Sequence, residues 1–149
     1  SKLAVDNEKH AFKQLFNILK KVFLISSIAS IIIILISNFL VELFFERNSF
    51  TAEDTEVVSL IQIIFLVYTP FTVAGMVIVN FLTSINKNNV LAFVSLFAVI
   101  LNFILDIIFM KFYGIYGIAL CTTCIFVIRF LIILKYTMNL NNRLKLVKQ

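Results

Sequence analysis

The chain has 149 residues, of which 61% are hydrophobic and only 14% charged, with a formal net charge of +5. A soluble domain is nearer half apolar, so this composition excludes a soluble globular enzyme and points to an integral membrane protein. Short alternating strands are absent, so the spanning elements are expected to be helices, which satisfy their own backbone polar groups in lipid.

In chain order, Asp6 to Lys21 reads as an amphipathic helix. Phe12, Leu15, Phe16, Leu19 and Val22 recur at three- and four-residue spacing, with Lys9, Lys13, Lys20 and Lys21 among them. Residues 1–21 are therefore expected as a cytoplasmic amphipathic helix lying in the membrane interface. Residues 22–138 are predicted to be a four-helix transmembrane region. Val22 to Val41 carries no charge over enough length to cross a hydrocarbon core of about 30 Å. Ser26, Ser27, Ser30 and Ser37 in this run suit helix packing better than ligand binding.

An acidic loop, Glu46 to Glu56, follows. Thr51 and Asp54 have the spacing of a capping box, and Glu53 and Asp54 would lie in a first turn, where the helix dipole favours negative charge. The second helix is thus expected to begin near Ala52. Pro70 and Gly75 stand in its middle and read equally as a mobile kink or as a tolerated one packed against neighbours. A polar turn at Asn86 to Asn89 leads to the third helix. The turn at Gly114 and Gly117 joins it to the fourth. The four spans are expected near 22–45, 55–85, 90–111 and 114–136, and residues 139–149 as a basic tail or linker.

Lys2, Lys9, Lys13, Lys20, Lys21, Lys87, Lys135, Arg143, Lys145 and Lys148 fall on one side of this layout; Arg47 and Lys111 fall on the other. The positive-inside rule then places both ends in the cytoplasm. This charge placement suits anionic lipid and argues against nucleic acid as a partner. Arg129 lies inside the fourth helix, near its inner end, and is expected to snorkel to the interface.

The candidate site lies in the last hairpin. Asn102 and Asp106 are four residues apart and share a helix face. Asp106 precedes the turn by about as much as Thr122 follows it, so the two are expected at similar depth. An acid inside a membrane hairpin, beside an amide and a hydroxyl, is a functional-site hypothesis. The structural alternative is that Asn102 and Asp106 hydrogen-bond between helices and specify packing. Cys121 and Cys124 form a C-x-x-C in an apolar run and read as small packing residues rather than a redox or metal site. No residue spacing indicates a catalytic group or an organic cofactor. His10 lies in a polar segment outside the spans.

The string Phe45-Glu46-Arg47-Asn48-Ser49-Phe50-Thr51-Ala52-Glu53-Asp54-Thr55 resembles the acidic loop of the MurJ/MviN family of lipid II flippases. These belong to the multidrug/oligosaccharidyl-lipid/polysaccharide exporter superfamily. Asn102-x-x-x-Asp106 and Gly114-x-x-Gly117-x-Ala119-x-x-Thr122 are similar to the family's eleventh and twelfth membrane segments. The resemblance implies a piece of a larger helical bundle, segments nine to twelve, in a bacterial cytoplasmic membrane. It implies membrane lipids, a lipid-linked saccharide precursor and the remaining segments as partners. The family's essential cationic residues are expected outside this chain. The implied function is cation-coupled alternating access, moving lipid II or another undecaprenyl-pyrophosphate-linked saccharide. Family members bind sodium in this lobe, so Asn102, Asp106 and Thr122, with the Ile118 carbonyl, are the implied Na+ ligands; proton coupling is the other possibility. Two alternatives stand beside this: another polysaccharide, teichoic-precursor or drug exporter, and a non-transport membrane scaffold.

Overall fold

A computed structural model describes the backbone of residues 2–45 and 52–146 and the side chains of 10–44 and 53–143. The described residues form five helices: α1 (Lys2–Leu35), α2 (Ser37–Phe45), α3 (Ala52–Ser84), α4 (Asn88–Tyr113) and α5 (Ile115–Leu146). The fold is all-α. Four segments are long and apolar enough to cross a membrane: His10–Leu35, Glu53–Ser84, Asn88–Tyr113 and Ile115–Arg143.

The helices stand in a row, α1, α3, α5, α4. α3 packs along both α1 and α5, whereas α4 packs almost entirely on α5. The first three form a common core of Leu19, Ala74, Ile78, Leu82, Phe130 and Ile133, joined by Val94 of α4. Aromatic rings connect the layers edge to face. Phe12 meets Phe81 at 4.8 Å, Phe23 meets Phe71 at 5.3 Å, and Phe71 meets Phe130 at 5.7 Å. Gly75 lets α5 come close: a Cβ there would meet only Phe130 and Ile133, at 3.6 and 3.8 Å.

Three boundaries differ from the sequence expectation. No break separates the amphipathic segment 1–21 from the first span; α1 runs through Lys21 without interruption. The stripe of Phe12, Leu15 and Leu19 is buried, with Phe12 and Leu19 packed on α3 rather than facing lipid. At the other end, where residues 139–149 are expected as a tail or linker, the helix continues to Leu146, and Leu140 packs against the core. The third difference is an interruption at Ile36, between α1 and α2. There Ile36 N–H reaches back only to the Ile33 carbonyl, at 3.3 Å. The break coincides with a polar cluster. The Ser37 hydroxyl lies 3.1 Å from that of Ser59 and donates to Gln62 Oε1 at 3.3 Å, and Ser59 donates to Asn38. In lipid such groups need partners, and these four supply one another.

α3 begins at Ala52 with Glu53 and Asp54 in its first turn, as the dipole argument requires, and it passes through Pro70 and Gly75 as one helix. Residues 46–51, including the expected cap Thr51 and most of the acidic-loop motif, lie outside the described residues. α3 ends in a Schellman-type closure. Lys87 N–H bonds to the Leu82 carbonyl and Asn86 N–H to the Thr83 carbonyl, with Asn86 at φ 57°. Asn tolerates this left-handed conformation better than most side chains.

Candidate functional site: the α4–α5 cleft

Two glycines set how α4 and α5 meet. Gly114 has φ 59° and ψ −143°, a region nearly closed to residues with a Cβ, and its N–H caps α4 on the Met110 carbonyl at 2.9 Å. Gly117 sits directly against α4: a Cβ would fall 2.2 Å from the Phe109 carbonyl oxygen. The hairpin is therefore closed at its turn. Farther along it opens into a cleft of about 430 Å³, lined by Ser95, Asn102, Asp106, Ile125, Phe126 and Arg129 among others.

Asn102 and Asp106 lie together in this cleft. The Asn102 amide donates to Asp106 Oδ2 at 2.9 Å within one helix. That contact does not cross between helices. The Asn102 amide oxygen, Oδ1, and the second carboxylate oxygen of Asp106, Oδ1, are buried without a hydrogen-bond partner. Across the cleft, the buried thiol of Cys121 faces the Asp106 carboxylate. Cys124 is exposed, and both cysteines are free.

Ile118 and Thr122 are half-buried on α5. Among the described residues no hydrogen bond joins Thr122 to Asn102 or Asp106. Its neighbour Thr123 turns the other way and donates to the Ile64 carbonyl of α3 at 3.1 Å. Arg129 is half-buried too. Rather than pointing free toward one membrane face, its guanidinium donates to the Ser95 hydroxyl of α4 at 3.1 Å. It also lines a second cleft, of about 230 Å³, between α3 and α5. His10 is exposed and hydrogen-bonded to Gln14. Sequence reasoning picked out the acid and the amide from their spacing. Ser95 escaped it, because a serine in an apolar helix carries no signal until its neighbour is known, and Cys121 read as a packing residue alone.

A family model described as lipid II flippase MurJ matches residues 1–148. The chain belongs to the MurJ lipid II flippase family. No curated protein and no solved structure matches it. The MurJ family is one of transporters, which fits four membrane-length helices and a polar cleft inside the bundle.

The sodium that the sequence resemblance implies can be tested against the side chains present. Two buried oxygens that lack partners, one amide and one carboxylate, are of the type that hard cations take. Asn102 and Asp106 fit such an ion. The Thr122 hydroxyl and the Ile118 carbonyl stand on the facing helix without a contact that ties them to it. Among the described residues no three of His, Cys, Asp and Glu come together, so the remaining oxygens of a shell would come from uncharged groups or from outside the described residues.

Proposed function

We propose that this chain works as part of a flippase for lipid II, the undecaprenyl-pyrophosphate-linked peptidoglycan precursor, and that its α4–α5 cleft is the coupling-cation site. Family membership supports the transport reading. One observation supports the cation: the unpartnered oxygens of Asn102 and Asp106 lie buried in a cleft at membrane depth.

An ionised carboxylate in a low-dielectric cleft is costly unless it is compensated. Bound sodium would supply that compensation. On the protein side, the Asn102 amide holds Asp106 Oδ2, leaving Oδ1 buried and without a hydrogen-bond partner. Thr122 and Ile118 then have a role as oxygen donors from α5, which would tie the two helices of the hairpin together when the site is filled. Coupling follows if hairpin closure differs between the states of the transport cycle. The same reading places both ends of the chain in the cytoplasm of a bacterial inner membrane, supported by the Lys-rich ends.

The test is the thermal unfolding of the full-length protein in sodium against potassium at matched ionic strength. Sodium is expected to stabilise by about 2.7 kcal/mol at a hundredfold excess over its dissociation constant. Asp106→Asn keeps the shape, loses the charge, and is expected to abolish the difference. An unchanged sodium response in Asp106→Asn would put the ion elsewhere. A response to pH but not to sodium would make Asp106 a proton carrier.

A further inference from the structure

Arg129 lines clefts on both sides of its helix, the α4–α5 cleft and the α3–α5 groove. It lies six residues before Lys135, about 9 Å from that level along α5. A guanidinium has five N–H donors. Here Ser95 takes one, and among the described residues Arg129 forms no ion pair. The described acids do not neutralise it. Glu42, Glu53, Asp54 and Glu56 belong to the opposite end of the helices, and Asp106 lies by Cys121, whose position is about 12 Å along the α5 axis from that of Arg129. A positive charge at this depth without an anion is expensive, and such residues mark binding paths.

The surroundings suit an anion with oxygen atoms. On the α3 side the groove is built over Gly75, and Arg129 shares it with Thr72 and Asn80. The Thr72 hydroxyl is buried with no hydrogen-bond partner. Asn80 is exposed two turns nearer the Lys-rich end, so the groove carries polar groups from Arg129 toward that end. We propose that Arg129, with Thr72 beside it, binds the phosphate of a lipid head group that enters between α3 and α5 from the Lys-rich side. Ser95 holds the guanidinium from the α4 side and leaves its remaining donors for bidentate contact with phosphate oxygens. This site is separate from the Asn102–Asp106 pair and does not depend on a cation there.

The experiment is thermal unfolding of the full-length protein in neutral detergent with four probes. Two are phosphate lipids, phosphatidylglycerol and a polyprenyl diphosphate. A polyprenol serves as the phosphate-free lipid, and inorganic diphosphate as the lipid-free anion. At saturation at least one phosphate lipid is expected to raise the unfolding midpoint by about 5 °C over the polyprenol, and which one does so identifies the source of the phosphate. Arg129→Gln is expected to remove that increment. Arg129→Lys should keep part of it, since the charge stays and the fork is lost. Asp106→Asn should keep all of it, which separates this site from the cation site. Equal stabilisation by polyprenol, an equal effect of inorganic diphosphate, or an unchanged increment in Arg129→Gln each overturns the proposal. Should Arg129→Gln fail to fold, Arg129→Lys and Thr72→Val decide: unchanged increments in both overturn it as well.

Discussion

The two sides of α5 are built differently. Toward α3 its core residues pack closely, with Phe130 and Ile133 on Gly75, Tyr68 stacked on Phe126 at 4.9 Å and Thr123 on a carbonyl partner, and the groove at Thr72 and Arg129 lies beside them. Toward α4 it meets its neighbour tightly at the Gly117 turn and again near Val94, and between them parts around a cleft in which Asn102 Oδ1 and Asp106 Oδ1 lack partners. The α1–α3–α5 core holds the bundle together. The α4 side leaves polar groups unsatisfied at membrane depth, which a protein tolerates where a ligand or another segment completes them. Core stability and the sodium response should therefore separate by mutation along the two faces of one helix.

The largest effect is expected at the point that holds the two regions in register. Gly117→Val puts a Cβ 2.2 Å from a backbone oxygen, which cannot swing aside as a side chain would. A loss of about 3 kcal/mol is expected in equilibrium unfolding in micelles, together with loss of the sodium response, since α4 and α5 can no longer meet. Retained stability would mean that the hairpin closes elsewhere.

Within the dry core, Ile78→Ala should cost about 2 kcal/mol. Ile78 is fully buried, but lipid is as apolar as the core, so the cost is lost packing rather than lost burial from water. The sodium response should survive. A lost response in Ile78→Ala, at equal folding, would show that core and cleft are not separable.

The polar cluster at the α1–α2 break comes next. Ser59→Ala removes partners from both Ser37 and Asn38. About 1 kcal/mol is expected, within the range of hydrogen bonds between membrane helices. The loss should appear without a change in either sodium or phosphate-lipid response. A change in either would tie the break to the transport cycle.

The sequence made some of this legible and some not, for physical reasons. Four apolar runs and one glycine-marked turn are local features, so the helices and the α4–α5 hairpin could be read directly. Asn102 and Asp106 share a face through helix geometry alone, so the pair could be read too. The fate of Phe12, Leu15 and Leu19 could not, because an amphipathic stripe looks the same whether it meets lipid or α3. The interruption at Ile36 has no proline or glycine to announce it and coincides with contacts to Ser59 and Gln62, more than twenty residues away. Arg129 read as an interfacial snorkel because its partner Ser95 lies 34 positions earlier.

The finest test of the comparison uses two adjacent threonines on opposite sides of α5. Thr123 is 8% exposed and its hydroxyl donates to the Ile64 carbonyl across the core side. Thr123→Val keeps the shape and removes that bond, so a loss of about 0.6 kcal/mol is expected, the average for such bonds between membrane helices. Its sodium response should equal that of wild type, because the hydroxyl points away from Asp106. Among the described residues Thr122 makes no such bond, and Thr122→Val should leave stability in potassium unchanged. In sodium it should unfold at a lower temperature than wild type, because one oxygen donor from α5 is gone. Unfolding of both variants in each salt gives a two-by-two comparison in which Thr123→Val loses the same amount in both salts and Thr122→Val loses in sodium alone. If Thr122→Val keeps the full sodium response, the ligands are Asn102 and Asp106 with oxygens from elsewhere, and α5 contributes shape alone. If Thr123→Val also weakens the response, the two faces of α5 are coupled through the helix, and core packing sets the geometry of the cleft.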